Sequence, residues 1–418
     1  MKQKNDYNFH TQVIHAAQSS GDWQGATLPP IFQTASHLHD TAENLSRTFS
    51  GQTTDHIYMR LTNPTNRILE EKLTALEGGR GAVAMSSGMA AVSNACMALL
   101  RSGDEFVTGN SLFMSTYLLF TNIFKKYGIT ARIVESTDLE ALKKAINDRT
   151  RFVYLETIGN PKMDVPDLAR AAEIAHAHGI PLVVDNTLAT PYLCRPFEIG
   201  ADVVIHSTTK YLSGHGAAAG GVVIDGGNFD WPEERFPDFT PFIDRKGPLA
   251  FLDKVWREHH INFGTTLAPM HAYLTMIGLD TLALRMERHV SNALEVARYL
   301  SQKPEVTWVN YPGLEDHPSH KTAQKQFNGK GFGGMLAFGL QNESACFQFI
   351  NSLQLIYHLA NLGDCKTLVI HPCSSQYVSF DDPTREMLSI TPDLIRLSVG
   401  IEASEDICAD LDQALNSL

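Results

Sequence analysis

Residues 201–216 read "ADVVIHSTTKYLSGHG". A short apolar run rich in Val and Ile ends in Ser207, Thr208, Thr209 and Lys210, and glycines follow at 214 and 216. Such a run, closed by turn residues, has the pattern of a strand buried on both faces. A lysine among three hydroxyls at the end of a buried strand is a chemical feature, because ligands of open α/β sheets bind at the carboxyl ends of strands.

Outward from this stretch the pattern repeats. "GAVAM", "DEFVTG", "FVYLET", "IPLVVDN" and "AGGVVID" are further short apolar runs, separated by helix-like segments such as "GMAAVSNACMALL" and "DLARAAEIAHAHG". Buried strands alternating with helices predict a largely parallel α/β sheet over about residues 63–262. Before it, residues 1–62 are rich in Thr, Gln, His and Pro and lack a sustained period, which predicts an arm packed on a neighbouring subunit or on its own domain. The stretch "GGNFDWPEERFPDFTPF" reads as an aromatic, proline-rich insertion, and a long helical region follows from "LAPMHAYL" to "VARYL". The strands "GFGGMLAFGL", "KTLVIHP" and "LIRLSVG" suit a smaller α+β domain over 263–418, whose last helix Ser404 can cap, with Glu405 and Asp406 in its first turn.

Composition narrows the function classes. Lys and Arg number 34 against 46 Asp and Glu, a net charge of −12 with no basic cluster, so a nucleic-acid partner is not expected. Six scattered cysteines form no CxxC pair, which argues against a disulfide framework or zinc site. With no continuous apolar run at the N-terminus and none of about 18 residues elsewhere, no membrane partner is expected and the reading is cytoplasmic.

Three expected strand ends carry unusual residues: Ser86-Ser87-Gly88-Met89 after "GAVAM", Asp185 after "IPLVV", and Ser207 to Lys210. Each has a plain alternative, respectively an N-cap, a turn former and a solvated surface lysine. Taken together they suit one ligand. A helix start at Gly88 and Met89 offers N–H groups to an anion, and the Ser207 and Thr209 hydroxyls add to them. Lys210 can form a Schiff base with an aldehyde, and Asp185 can keep a pyridine nitrogen protonated. Pyridoxal 5'-phosphate (PLP) needs all of these roles.

"YMRLTNPT", "SSGMAA", "VVDNTLATPYL" and "HSTTKYLSGHG" resemble the signatures of the Cys/Met-metabolism family of PLP enzymes, and the resemblance runs from "TQVIHAAQ" to "IRLSVGIE". It implies the aspartate aminotransferase type of fold (fold type I), with a large mostly parallel-sheet domain and a smaller C-terminal α+β domain. It also implies a Schiff base between PLP and Lys210, Asp185 at the ring nitrogen, Asn160 near the phenolic oxygen, and phosphate ligands at Gly88, Met89, Ser207 and Thr209. Arg396 matches the arginine that takes the substrate α-carboxylate, and Tyr58 and Arg60 match residues reaching the phosphate of a neighbouring subunit, in a homotetramer built from dimers with shared active sites. Tyr58 and Asn361 fall in the substrate region by the same match.

Within the family, "NFGTTLAPMHAYL", "WVNYPGL" and "TPDLIRLSVGIE" resemble the O-acetylhomoserine sulfhydrylases. The implied reaction is γ-replacement, in which O-acetyl-L-homoserine and sulfide give L-homocysteine and acetate in methionine and cysteine biosynthesis. Methionine γ-lyase, cystathionine γ-lyase and cystathionine γ-synthase are alternatives on the same scaffold, and a catalytically silent PLP-binding protein is the alternative of another class. Two positions depart from the pattern. Phe113 stands where many relatives stack a tyrosine on the ring, keeping the stacking and losing a hydroxyl that would assist departure of a thiolate; acetate needs less help. Asn361 stands where some relatives carry serine.

Overall fold

The computed structural model describes residues 7–17 and 25–418. The chain divides into two compact units, Met1–Leu99 with Asp202–Thr281, and Leu100–Ala201 with Leu282–Leu418. In chain order the strands are β1 (Gly81–Met85), β2 (Glu105–Gly109), β3 (Thr130–Val134), β4 (Thr150–Glu156), β5 (Leu182–Asp185), β6 (Val203–His206), β7 (Gly221–Asp225), β8 (Trp308–Asn310), β9 (Met335–Gly339), β10 (Tyr357–His358), β11 (Leu368–Ile370) and β12 (Leu394–Ser398).

In the first unit β7 lies between β1 and β6 and is antiparallel to both, with Ala84 opposite Val222 and Ile205 opposite Val223. The expected strands form, and β7 is the antiparallel member of a sheet expected to be largely parallel; an apolar run of Val and Ile reads alike both ways and does not mark its direction. The helix Pro64–Glu77 leads into β1. Its Asn63 cap accepts from the N–H groups of Thr65 and Asn66, proline fills its first position, and Gly78 ends it at φ 80°. Leu69, Leu73 and Leu76 are fully buried along one face. The stretch read as an insertion forms part of the core, where Trp231 stacks on Phe239 at 4.3 Å and on Phe251 at 5.7 Å.

The second unit holds the parallel ladder β5-β4-β2-β3, in which Val153 faces Leu182 and Glu156 faces Asp185. Asp167 caps the helix Leu168–Ala177 by accepting from the Arg170 N–H, and that helix connects the parallel strands β4 and β5. A smaller sheet, β10-β11-β12-β9-β8, is antiparallel except between its first two strands. Ala293, Val296 and Leu300 on the helix Leu282–Leu300, Phe349 on Glu343–Ser352, and Ile407 and Leu411 on Ser404–Leu415 join Phe338, Ile395 and Leu397 in one core.

The described residues of 1–62 include two short helices, Phe9–His15 and Ala42–Phe49, the second capped by Thr41. Two local expectations need correction. Thr281 divides the long helical region into Pro269–Asp280 and Leu282–Leu300. Ser404 is the first helical residue and not the cap, which falls on Ala403 without a side-chain bond, although Glu405 and Asp406 do occupy the first turn. None of the six cysteines is in a disulfide, and among the described residues no helix is long and apolar enough to cross a membrane.

Candidate active site

In the first unit β6 delivers four buried residues to the turn at Ser207. The turn is tightly bonded: the Ser207 carbonyl accepts from the Lys210 N–H at 3.3 Å, that of Thr208 from Ser213 at 3.0 Å, and that of Lys210 from Gly214 at 2.8 Å. Lys210 itself is partly buried. Behind the turn, His206 Nε2 lies 2.5 Å from Glu77 Oε1, with both side chains fully buried.

The helix Gly88–Leu99 starts against this turn. Ser87 Oγ accepts from the Ala90 N–H at 3.1 Å, and the positive end of the helix dipole falls at Gly88 and Met89. Gly88 has a steric reason to be glycine, because a Cβ there would stand 2.6 Å from Ser207 Cβ and 2.9 Å from Ser207 Oγ. Gly88 and Ser207 are thus brought together as expected. Thr209 is partly engaged elsewhere: its Oγ1 accepts from the Gly220 N–H at 3.0 Å and lies 3.3 Å from the Gly220 carbonyl. Tyr58 and Arg60 are exposed, with the guanidinium 5.6 Å from the Tyr58 ring centre and Nη1 donating to the Ile261 carbonyl at 2.5 Å.

The second unit carries the other expected residues. Arg396, in the middle strand β12 and 2 % exposed, donates through Nη1 to Asn160 Oδ1 at 3.1 Å and Gln376 Oε1 at 3.3 Å, and through Nη2 to the Asn361 carbonyl at 3.1 Å. Arg396, Asn160 and Asn361 are therefore brought together, and it is the backbone oxygen of Asn361 that meets the guanidinium. Asn160 precedes a cis proline, Pro161. Asp185 closes β5, where Oδ1 accepts from the Thr187 N–H at 3.0 Å and Oδ2 lies 3.4 Å from the Tyr154 hydroxyl. Phe113 occupies the N-cap of the helix Met114–Leu118, and its N–H donates to Glu156 Oε1 at 2.7 Å.

Glu156 went unnoticed in the sequence. Burial, then the neighbouring Asp185 charge, pushes its carboxyl well above the ordinary carboxylate range, and Asp164 adds to this against the opposing Phe113 N–H. Asp164 is raised for the same first reason, burial, although Ser111 Oγ donates to its Oδ2 at 2.7 Å. Burial also raises the Tyr377 phenol, whose surroundings include Arg396, Glu156 and the Met114 N–H. A carboxylate ending the apolar run "FVYLE" was the one available signal for Glu156; nothing local marked Tyr377.

The donor types suit a phosphorylated aldehyde. A helix start too close to a serine to carry a methyl group is a cradle for a phosphate, while lysine and aspartate are the groups that an aldehyde and a protonated pyridine require. A family model described as "Cys/Met metabolism PLP-dependent enzyme" matches residues 10–416. The chain belongs to this family. Among curated members it is 41 % identical to the homocysteine/cysteine synthase of Saccharomyces cerevisiae, with 98 % of each chain covered. It is 38 % identical to the O-acetyl-L-homoserine sulfhydrylase of Leptospira meyeri, covering 99 % of this chain and 98 % of the relative. It is likewise 38 % identical to the L-methionine gamma-lyase of Pseudomonas putida, covering 98 % and 97 %.

Solved structures of the family agree in fold. A Campylobacter jejuni protein assigned as an O-acetylhomoserine (thiol)-lyase, solved with N'-pyridoxyl-lysine-5'-monophosphate, superposes with a TM-score of 0.94 at 34 % identity, covering 98 % of this chain and all of that one. Cystathionine gamma-lyase of Lactobacillus plantarum, in complex with L-serine, gives 0.86 at 34 % identity, covering 98 % and 99 %. The fold-type-I architecture and PLP dependence expected from the sequence therefore hold.

Proposed function

We propose that the protein is a PLP-dependent O-acetylhomoserine sulfhydrylase, which exchanges the γ-acetoxy group of O-acetyl-L-homoserine for sulfide and releases L-homocysteine and acetate. What carries the reading is that likeness to proteins named homocysteine synthase and O-acetyl-L-homoserine sulfhydrylase runs along almost the whole chain. Bound PLP supplies an electron sink for the substrate's α-carbon. Lys210 holds its aldehyde carbon and, once released, moves protons at the substrate Cα and Cβ so that acetate can leave Cγ and sulfide can add there. Asp185 keeps the ring nitrogen protonated, Asn160 bonds the phenolic oxygen, and Phe113 stacks on the ring. Gly88, Met89, Ser207 and Thr209 hold the phosphate. Arg396 fixes the α-carboxylate, for which a planar guanidinium is suited, and Tyr58 and Asn361 complete the substrate region.

Along the chain we assign an arm at 1–62, of which residues 1–6 and 18–24 lie outside the described residues, a cofactor-binding segment at 63–262 and a C-terminal segment at 263–418. The assembly is a cytoplasmic homotetramer of dimers, with Tyr58 and Arg60 reaching the partner's phosphate; their exposure supports this. Co-expressed Lys210→Ala and Arg60→Ala subunits, each inactive alone, should recover roughly a quarter of native activity through mixed dimers. Mixed oligomers with no gain would remove the shared site.

The deciding assay offers O-acetylhomoserine with sulfide, methionine alone, and O-succinylhomoserine with cysteine, and measures the products of each. Homocysteine formation in the first arm should dominate. Faster thiol release from methionine alone would instead identify a γ-lyase.

A further inference from the structure

We infer that Glu156 is a positioning residue of the cofactor site that carries its own proton: its carboxyl fixes the backbone of Phe113 and leaves to Asp185 the single negative charge at the paired strand ends. The inference rests on the assignment of Asp185 and Phe113 to the PLP site, and it starts from the register of β4 and β5. Glu156 and Asp185 are aligned residues of adjacent parallel strands, whose backbones lie about 4.8 Å apart, so their side chains leave the same face as neighbours. Two neighbouring carboxyl groups with one of them buried do not both ionise readily, and one takes a proton.

The surroundings decide which one. Asp185 is partly exposed, with the Thr187 N–H on one oxygen and the Tyr154 hydroxyl near the other. Glu156 is 8 % exposed and accepts one N–H, that of Phe113. Its other neighbours are Asp185 on β5, Asp164 on the loop after β4, and the Tyr377 hydroxyl. Beyond them, Lys162 lies 3.8 Å from Asp164, and Arg396 bears on Tyr377. Burial and two acidic neighbours therefore place the proton on Glu156, in keeping with the direction of its titration.

The hydrogen bond gives this neutral carboxyl a task. Phe113 is the N-cap of the helix Met114–Leu118, yet phenylalanine has no oxygen with which to cap, and no side-chain cap bond is made there. Glu156 Oε1 instead holds the cap residue's own N–H, the same job that the glutamate of a capping box performs from within its helix. A neutral carbonyl oxygen can do this without charge. The ring of Phe113 is thereby oriented from β4, the strand beside the one that carries Asp185.

Three variants of the full-length holoenzyme test the inference. Glu156→Gln keeps an acceptor for the Phe113 N–H and no charge, so the pH titration of the cofactor's visible absorbance should keep its midpoint within about 0.3 units of wild type. Glu156→Ala removes the acceptor and should lower the cofactor's visible circular dichroism about twofold, an effect that Gln restores. Phe113→Ala should give a similar loss, to which Glu156→Ala adds little. An ionised Glu156 would instead make Glu156→Gln move the absorbance midpoint by roughly one unit or more, and that result overturns the inference. An Ala variant with wild-type dichroism overturns it as well. Should Glu156→Ala fail to fold, the infrared spectrum of wild type at neutral pH decides: it must contain a protonated-carboxyl C=O band that Glu156→Gln lacks, and identical spectra would refute the assignment without reference to PLP. A wild-type protein that binds no PLP would refute the site reading instead.

Discussion

The turn at Ser207 and the paired ends of β4 and β5 handle charge in opposite ways. At the turn, hydroxyls, backbone N–H groups and a helix start crowd together with glycine at the closest approach, so an anion would be met by dipoles, with Lys210 the basic side chain between Ser207 and Gly214. At the strand ends, acidic groups gather instead: Glu156 faces Asp185, with Asp164 nearby, and burial pushes Glu156 and Asp164 toward their neutral forms. The first region can present its hydrogen bonds at any pH in the working range. The second depends on where one proton sits, and therefore makes pH and charge-removing substitutions the sharper tools for probing it.

Lys210→Ala should produce the largest effect, a fall in turnover of at least about a thousandfold with the fold retained, because the turn's backbone bonds do not use the side chain. Activity of more than about a hundredth of wild type would move the chemistry away from this turn. Next in size, Arg396→Lys should raise KM for O-acetylhomoserine by about ten- to a hundredfold, since one ammonium cannot reproduce three directed contacts and still grip a carboxylate. An unchanged KM would leave Arg396 a structural role only. Gly88→Ala forces a methyl group within 2.6 Å of Ser207 Cβ, so it should weaken PLP retention about tenfold while costing about 1–3 kcal/mol of stability. Equal retention on dialysis would mean that the cradle is looser than its geometry indicates.

The smallest expected effect on activity concerns a carboxyl of the first unit that behaves like Glu156. Asp225, at the end of β7, is raised to about 7, chiefly by burial and against the N–H groups of Gly227 and Leu252. Because its folded value lies above its unfolded one, the native state holds the proton longer. Stability from this group is complete below about pH 4 and is lost as pH rises through about 7, by up to about 1.4 kcal/mol per pH unit. Asp225→Asn should therefore flatten the stability profile from urea unfolding between about pH 4 and 7. Parallel profiles for variant and wild type would show that the carboxyl is ionised in the folded protein.

The turn was legible in the sequence because its chemistry is contiguous: strand, hydroxyls, lysine and glycines occupy sixteen neighbouring residues. Arg396, Tyr58, Asn160 and Phe113 entered only through resemblance, since a strand arginine or a loop aromatic has no local mark of function. Glu156 matters because of strand register, which places it beside a residue 29 positions away, and no local window contains that fact. The direction of β7 was hidden for a related reason: a run buried on both faces has no polar edge to show which way it points. Ser404 was misplaced by one residue because the capping preference sets a neighbourhood more firmly than a position.

Arg396 also bears on the timing of order. A long side chain with four rotatable bonds is pinned in the fold by three acceptors at 3.1, 3.3 and 3.1 Å and is almost completely enclosed. The rotamer entropy it gives up, about 2 kcal/mol for a free arginine, is surrendered when the chain folds. In the proposed role, a carboxylate arriving later would find the guanidinium already stationary, so little of its binding free energy would be spent on freezing a flexible arm, and more would be left to hold the substrate's reacting carbons in line.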